Sequence, residues 1–245
     1  MSDRIWALQG QAIHHVLERA AGPNDVVEWR LYDDVDGQML GGQIDLLTVT
    51  GEGEVLVDFK WTSAWTWVFT DAGYRDEWAK QLNILAYLAE RNGASVDSLE
   101  IVALYRDWQR SKATDETYPS QPVKRIPIPL WSFPEREAYV RERIALHVHA
   151  DETGVVPKCT PEDQWAKPDT FAVKKPKRKK ALRVFESEAQ AERYVEDTTG
   201  DDLFIEYRPG EPVRCENFCP VRELCQQRAL EKAEAPLPDQ IDYSE

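Results

Sequence analysis

The sequence predicts an α/β chain. Three observations lead there: two apolar, β-branched runs joined by Gly51-Glu52-Gly53, a helical stretch ahead of them, and another behind. Residues 5–18 place apolar side chains at the 3–4 spacing of a helix. His14 and Glu18, four apart, stack on one face, while His15 points elsewhere and is given no role. Residues 43–50 and 54–60 read as consecutive strands, and the Gly-Glu-Gly between them is a hairpin turn signal. A two-residue loop with Gly51 first pairs Thr50 with Gly53. Counting back then sets Asp45 opposite Asp58, with Cβ atoms roughly 5 Å apart, and Lys60 on the face of Asp58. A slip of one residue would part them. Residues 78–88 form a second helix that stops near Arg91-Asn92-Gly93. Gln81 is polar on that largely apolar segment: it either holds a water or phosphate oxygen or has no role. Residues 109–134, rich in proline and polar groups, read as a long loop or strand-edge crossover. Helices follow over 135–151 and 186–196, and residues 231–245 read as an acidic, flexible tail.

The chemistry lies in Asp45, Asp58 and Lys60, charged groups on strands whose neighbours are apolar. A buried carboxylate or ammonium persists only when paired or bound to metal. Two acids this close repel unless a cation lies between them or one is protonated. Mg²⁺ or Mn²⁺ suits hard oxygen ligands and keeps waters for reaction. Two acids, a divalent ion and an ammonium together make the equipment of a metal-assisted phosphodiester hydrolase. Lys60 would orient or deprotonate the attacking water and offset charge on the phosphate. The alternative is a surface salt bridge between Lys60 and one acid. His14, as a neutral imidazole, is a candidate ligand of the same ion, with Glu18 binding or orienting it.

His14 after Gly10, Gly42-Gln43-Ile44-Asp45, Asp58-Phe59-Lys60 and Gln81 resemble, in this order, the motifs of the PD-(D/E)XK nuclease superfamily. The resemblance covers roughly residues 5–105 and is nearest to the RecB-like exonuclease branch, which includes the CRISPR-associated adaptation nuclease and phage relatives. It implies a restriction-endonuclease-like core, with a mixed central sheet flanked by helices. It further implies that His14, Asp45, Asp58 and the Phe59 carbonyl hold the catalytic metal and that Lys60 is the catalytic lysine. Gln81 matches the start of that branch's Gln-x-x-x-Tyr motif, but Leu85 stands where the tyrosine belongs and Tyr87 follows two residues later.

All four cysteines lie in the second half: Cys159, then Cys215-x3-Cys219-x5-Cys225. Clustered cysteines without a secretory signal bind metal more often than they form disulfides. Four thiolates suit either a tetrahedral zinc or an iron–sulfur cluster. A distant first cysteine and a terminal trio resemble the RecB-like members whose [4Fe-4S] cluster pins the chain's end to the nuclease core. Here, though, Cys159 follows the nuclease motifs and the trio has its own spacing. Either metal would act as a clasp closing the long excursion from Cys159 to Cys215.

At 245 residues the chain suits one large or two small domains. The expected division is a nuclease core over 1–150, a cysteine region with a basic hairpin over 151–230, and the tail. The sequence has no apolar run of membrane-spanning length and no signal-peptide pattern, which leads to the expectation of a cytoplasmic protein without membrane partners. A net charge of −14 is unusual for a DNA-binding chain. Its positive charge is concentrated in Lys174, Lys175, Lys177, Arg178, Lys179 and Lys180, which either grip the DNA backbone or form a solvated hairpin tip. Trp61, Trp65 and Trp67, just after Lys60, either stack on unpaired bases or pack as lid and core. The functional expectation is a metal-dependent DNA nuclease, an exonuclease on ends or single strands. The alternative is a non-cleaving adaptor, or a structural subunit working with a helicase or recombination partner, since the chain carries no Gly-rich nucleotide loop of its own.

Overall fold

A computed structural model describes residues 5–51, 53–68, 70, 73–198 and 202–234. The chain divides into two compact units, residues 1–155 and 156–245. Glu52 at the expected hairpin turn and residues 235–245 of the expected tail lie outside the described residues.

The first unit is built on a five-stranded mixed sheet: β1 (Val26–Val35), β2 (Gln38–Thr50), β3 (Gly53–Thr62), β4 (Ser98–Tyr105) and β5 (Val123–Ile128), in that spatial order. β3 and β4 run parallel, and every other neighbouring pair is antiparallel. A parallel pair needs a crossover, and α3 (Asp76–Arg91) supplies it, preceded by the short α2 (Ala64–Val68). α3 buries Leu82, Leu85, Ala86, Tyr87, Leu88 and Ala89 against the sheet. The sheet answers with Leu31, Ile44, Leu47, Leu56, Leu99 and Ile101. Close approach is possible at Gly42, where a Cβ would lie 2.7 Å from the Leu85 side chain.

Helix α4 (Phe133–Thr153) starts at a reciprocal Ser132/Glu135 capping box and stops at Gly154 in the left-handed conformation. Two buried polar groups hold it in place. Asn83, fully buried on α3, donates to the Ala79 and Pro129 carbonyls and accepts from Trp131 N–H. Arg136 donates to both oxygens of Glu90. Helix α1 (Ile5–Arg19) packs on β3: the His14 ring meets Phe59 edge-on, and Trp61 donates to Gln9 at 3.3 Å. Successive strand residues face opposite ways, so Phe59 and Trp61 meet α1 while Asp58 and Lys60 meet α3. β3 is therefore clamped between two helices, each bringing one set of polar groups.

The expected loop over 109–134 contains β5. Pro127 sits in that strand, as an edge position allows. The second unit carries a three-stranded antiparallel sheet, β7-β6-β8, from β6 (Thr170–Lys174), β7 (Arg183–Phe185) and β8 (Phe204–Arg208), with α5 (Glu188–Asp197) packed on it. Two further helices, α6 (Val213–Asn217) and α7 (Gln226–Glu234), follow. No described helix is long and apolar enough to cross a membrane.

Candidate active site

The register of the central hairpin is the one the sequence predicts: Thr50 pairs with Gly53 and the ladder runs to Leu46 opposite Val57. There it stops. One step further lie Asp45 and Asp58, where β2 continues with β1 alone and β3 with β4 alone. The parting of the strands frees the backbone of Phe59 from the β2 ladder. Its N–H donates to Asp45 Oδ2 at 2.8 Å, and its carbonyl lies 3.1 Å from His14 Nε2.

Asp58 is 3 % exposed. Its Oδ1 accepts from Gln81 Nε2 at 3.2 Å, and its Oδ2 faces the Lys60 ammonium at 2.7 Å with no other partner. Gln81 also accepts from Lys60 Nζ at 2.9 Å, so the three side chains form a closed ring. Burial pushes the Asp58 carboxyl up to about 6; Lys60 draws it down, and the charge on Asp45 adds to the rise. His14 titrates above the usual imidazole range because the Asp45 carboxylate accepts from it, although burial pulls the other way.

The structure brings together His14, Asp45, Asp58, Phe59, Lys60 and Gln81, which the sequence singles out. It adds Glu28, which the sequence reading misses. Glu28 lies in β1 between the pairs Val27–Leu46 and Trp29–Ile44, with φ of 49°. Left-handed backbone is strained for a residue with a Cβ. Here it aims the side chain at the site, where Gln43 donates to Glu28 Oε2. His14, Glu28 and Asp45 each offer a ligand atom within 4.8 Å of the others. Glu28 Oε1 is 3.9 Å and Asp45 Oδ1 3.5 Å from His14 Nδ1. A groove of about 550 Å³ opens beside them, lined by Gln11, His14, His15, Glu18, Glu28 and Gln43. Glu18, expected to serve His14, instead accepts from His15 at 3.3 Å.

These donors suit a divalent cation. Asp58 Oδ2 is a buried carboxylate oxygen met only by an ammonium. His14 Nε2 and the Phe59 carbonyl stand 3.1 Å apart, close to the roughly 3 Å between neighbouring ligands in an octahedral shell of 2.0–2.2 Å bonds. Carboxylates, a carbonyl and an imidazole are the ligand types that Mg²⁺ and Mn²⁺ accept.

A model of the PD-(D/E)XK nuclease superfamily matches residues 4–226. The chain belongs to that superfamily. Its five-stranded mixed sheet flanked by helices is the restriction-endonuclease-like PD-(D/E)XK core. Among solved structures, one titled "Crystal structure of SSO0001" is similar at 17 % identity with a TM-score of 0.40; the match covers 65 % of this chain and 64 % of that one. No curated protein matches the chain.

Within the PD-(D/E)XK core, the tyrosine that follows Gln81 on α3 turns away from the site. Tyr87 is buried, stacks on Phe133 and donates to Asp33 at 3.1 Å, while Leu85 packs on Gly42. Trp61 and Trp67 are part-buried and Trp65 is 46 % exposed, so the expected aromatic trio divides between packing and surface.

In the second unit, Lys174 ends β6 and pairs with Glu206 at 2.6 Å, and residues 175–182 form the connection from β6 to β7, with 176–180 exposed. The segment bearing Cys159 is tied to α7 by Gln227, whose amide accepts from Cys159 N–H at 2.8 Å and donates to Cys159 C=O at 3.2 Å. Gln164 bonds Glu231, and Arg214 N–H donates to the Gln164 carbonyl. All four cysteines are free thiols. Burial pushes the Cys159 and Cys215 thiols up, with smaller contributions from Asp163 on Cys159 and from other thiols on both. No three of them place their sulfurs within 4.8 Å of one another.

Proposed function

We propose that this chain is a Mg²⁺- or Mn²⁺-dependent deoxyribonuclease of the RecB-like branch, an exonuclease on DNA ends or single strands. The observation that carries the reading is the parted ladder at Asp45 and Asp58, which gathers two aspartates, a backbone carbonyl, a histidine and a lysine. His14 Nε2, Asp45, Asp58 and the Phe59 carbonyl hold the cation. When bound, it supplies an acidified water and polarises the scissile phosphodiester. Lys60, fixed by Asp58 and Gln81, orients the attacking water and meets negative charge building on the phosphate. Gln81 is a positioning residue, since its amide is spent on that ion pair.

Glu28 supports the cation as a further acidic neighbour: its Oε1 lies 3.9 Å from His14 Nδ1, whose nearer carboxylate is Asp45 at 3.5 Å, and its ligand atom falls with theirs in one cluster. Loss of a supporting carboxylate beside a metal site costs roughly 10–100-fold in metal affinity. Glu28→Gln is therefore expected to weaken Mn²⁺ binding by roughly that factor, read by titration calorimetry, with Asp58→Ala as the limiting case. Undiminished affinity in Glu28→Gln would remove Glu28 from the site. The activity itself is tested on circular and linear plasmid with Mn²⁺: loss of linear DNA alone marks an exonuclease. Linear plasmid and a single-stranded oligonucleotide both surviving with enzyme and Mn²⁺ would overturn the reading.

The nuclease core is assigned to residues 1–150 and the cysteine region to 151–230, with Lys175, Lys177, Arg178, Lys179 and Lys180 on the DNA backbone, while Lys174 is engaged by Glu206. Cys159, Cys215, Cys219 and Cys225 hold a [4Fe-4S] cluster. The reading is supported by the paired hydrogen bonds that tie the Cys159 backbone to Gln227, two residues after Cys225. Protein purified without oxygen is expected to be brown, and Cys219→Ser to lose both colour and iron. A colourless protein carrying one zinc per chain would replace the cluster with zinc.

A further inference from the structure

Beyond the metal site, the segment after Lys60 builds a second surface. β3 runs straight into α2, whose N-terminus is anchored by Asp107: its Oδ2 accepts from Ser63 Oγ at 2.5 Å and its Oδ1 from Ala64 N–H at 2.7 Å. The two tryptophans of α2 then part. Trp67 turns inward against Gly73, where φ is +75° and a Cβ would lie 2.1 Å from the indole, and Lys124 Nζ sits 3.3 Å over the Trp67 ring. Trp65 turns outward with 46 % of its surface exposed. Lys112 Nζ lies 5.2 Å over the Trp65 ring. A pocket of about 220 Å³ opens beside it, lined by Ser63, Trp65, Thr66, Thr70 and Arg75.

Among the described residues of the first unit, cations without a carboxylate within 4 Å also occur at Arg19, Arg30 and Arg143, but several gather here. Lys60, Lys80, Arg91, Arg125, Arg136 and Arg141 are each paired with a carboxylate. Arg75, Lys112 and Lys124 have no carboxylate within 4 Å among the described residues. In a chain of net charge −14, unmatched cations mark where a polyanion finds an attractive surface. The sheet fixes their distance from the chemistry. Lys60 pairs with Ala103, and Ala103 with Lys124. Lys124 therefore stands two strand spacings, about 10 Å, from Lys60.

We infer that this ledge is a holding site for single-stranded DNA: one unpaired base stacks on Trp65 in the pocket, while Arg75, Lys112 and Lys124 take the flanking phosphates. The inference rests on the nuclease reading for its substrate. Single-stranded DNA is the occupant because the exposed part of the Trp65 indole can stack on a base face, which a duplex keeps hidden within its own stack. The pocket, with hydroxyls and a guanidinium at its rim, accepts one heterocycle beside a phosphate rather than the width of a double helix.

The test separates holding from cutting. Binding of a labelled single-stranded oligonucleotide, and of the same sequence as a blunt duplex, is measured by fluorescence anisotropy in Ca²⁺. Hydrolysis of bis(4-nitrophenyl) phosphate is measured in Mn²⁺, since that small diester needs the metal site but no strand. Trp65→Ala is expected to raise Kd for the single strand by about 5- to 150-fold, to change duplex binding far less, and to leave hydrolysis of the small diester unchanged. Trp65→Phe should recover most of the affinity. Lys112→Ala, at an exposed position, should weaken single-strand binding and make it less sensitive to salt. Unchanged single-strand affinity in both Trp65→Ala and Lys112→Ala, or equal losses on single strand and duplex, would overturn the inference. Strand binding that depends on Trp65 in a wild-type protein unable to hydrolyse the small diester would sink the nuclease reading and keep the ledge.

Discussion

Replacing Lys60 with alanine is expected to lower the rate of DNA cleavage by roughly 10²–10⁴-fold, the range for one positioned proton-transfer or charge-stabilising group, while leaving divalent metal bound. The geometry separates the two effects. Lys60 touches Asp58 and Gln81 but none of His14, the Phe59 carbonyl or Glu28. Its ammonium is tied on one side to a buried carboxylate and on the other to an amide oxygen, so it is held in place before substrate arrives. Lys60→Ala removes the ammonium that most offsets the Asp58 charge, so a divalent ion should bind at least as tightly as in wild type. Lys60→Arg keeps the charge but enlarges and flattens the head group, which cannot reproduce both contacts at 2.7 and 2.9 Å. It should therefore recover little activity. The decisive measurement pairs Mn²⁺ affinity with single-turnover cleavage of a labelled oligonucleotide. Cleavage at the wild-type rate in Lys60→Ala would take the lysine out of the mechanism. Loss of metal together with cleavage would make it a structural prop.

How much of this site is legible in the sequence depends on which signal each residue carries. Asp45, Asp58 and Lys60 stand out because they interrupt apolar strands, and the Gly51–Gly53 turn fixes their register. α1, α3 and α4 are legible as helices, α1 from its apolar 3–4 spacing and α3 also from the Asn92-Gly93 stop. Glu28 has no such signal. β1 reads Val-Val-Glu-Trp-Arg-Leu-Tyr-Asp-Asp-Val, too charged to announce a strand, and it exists because β2 pairs with it along its whole length. The left-handed twist that aims Glu28 inward is a tertiary outcome. β4 does alternate, with Leu99, Ile101, Ala103 and Tyr105 buried, and a strict period-two reading would have found it. β5 is masked by prolines that matter little on an edge strand, and the strands of the second unit are only three to five residues long. Tyr87 shows the opposite failure. Its closeness to the expected tyrosine position suggests a role, but helical rotation turns it into the core beside Phe133.

Metal-free protein is expected to be more stable at pH 5 than at pH 8, and saturating Mn²⁺ should erase most of that difference. The sign follows from two groups. Asp58 has its folded carboxyl raised to about 6, so the folded state holds a proton that the unfolded chain has released. Stability from that proton is present at low pH and is lost as pH rises from about 4 through 6. His14 is raised as well, and its contribution is complete below about 6.5 and lost as pH climbs through its folded value. Both act in the same direction. Carboxylates held low, such as Asp33 beside Arg91, work the other way, but below the ordinary carboxylate range and outside this window. The shift of Asp58, a group 3 % exposed, corresponds to roughly 3 kcal/mol over its whole window, of which the step from pH 5 to pH 8 spans about half, or a few degrees in Tm for a chain of this size. A divalent cation replaces the lost protons as the neutralising charge, so below about pH 6 its affinity should fall close to tenfold per pH unit as it competes with the Asp58 proton. Thermal melts at both pH values with and without Mn²⁺ read the linkage, and Asp58→Asn supplies the control. In that variant the stability difference between pH 5 and 8 should shrink to the His14 share. An undiminished slope in Asp58→Asn would mean that the buried aspartate is not the group whose proton the metal displaces.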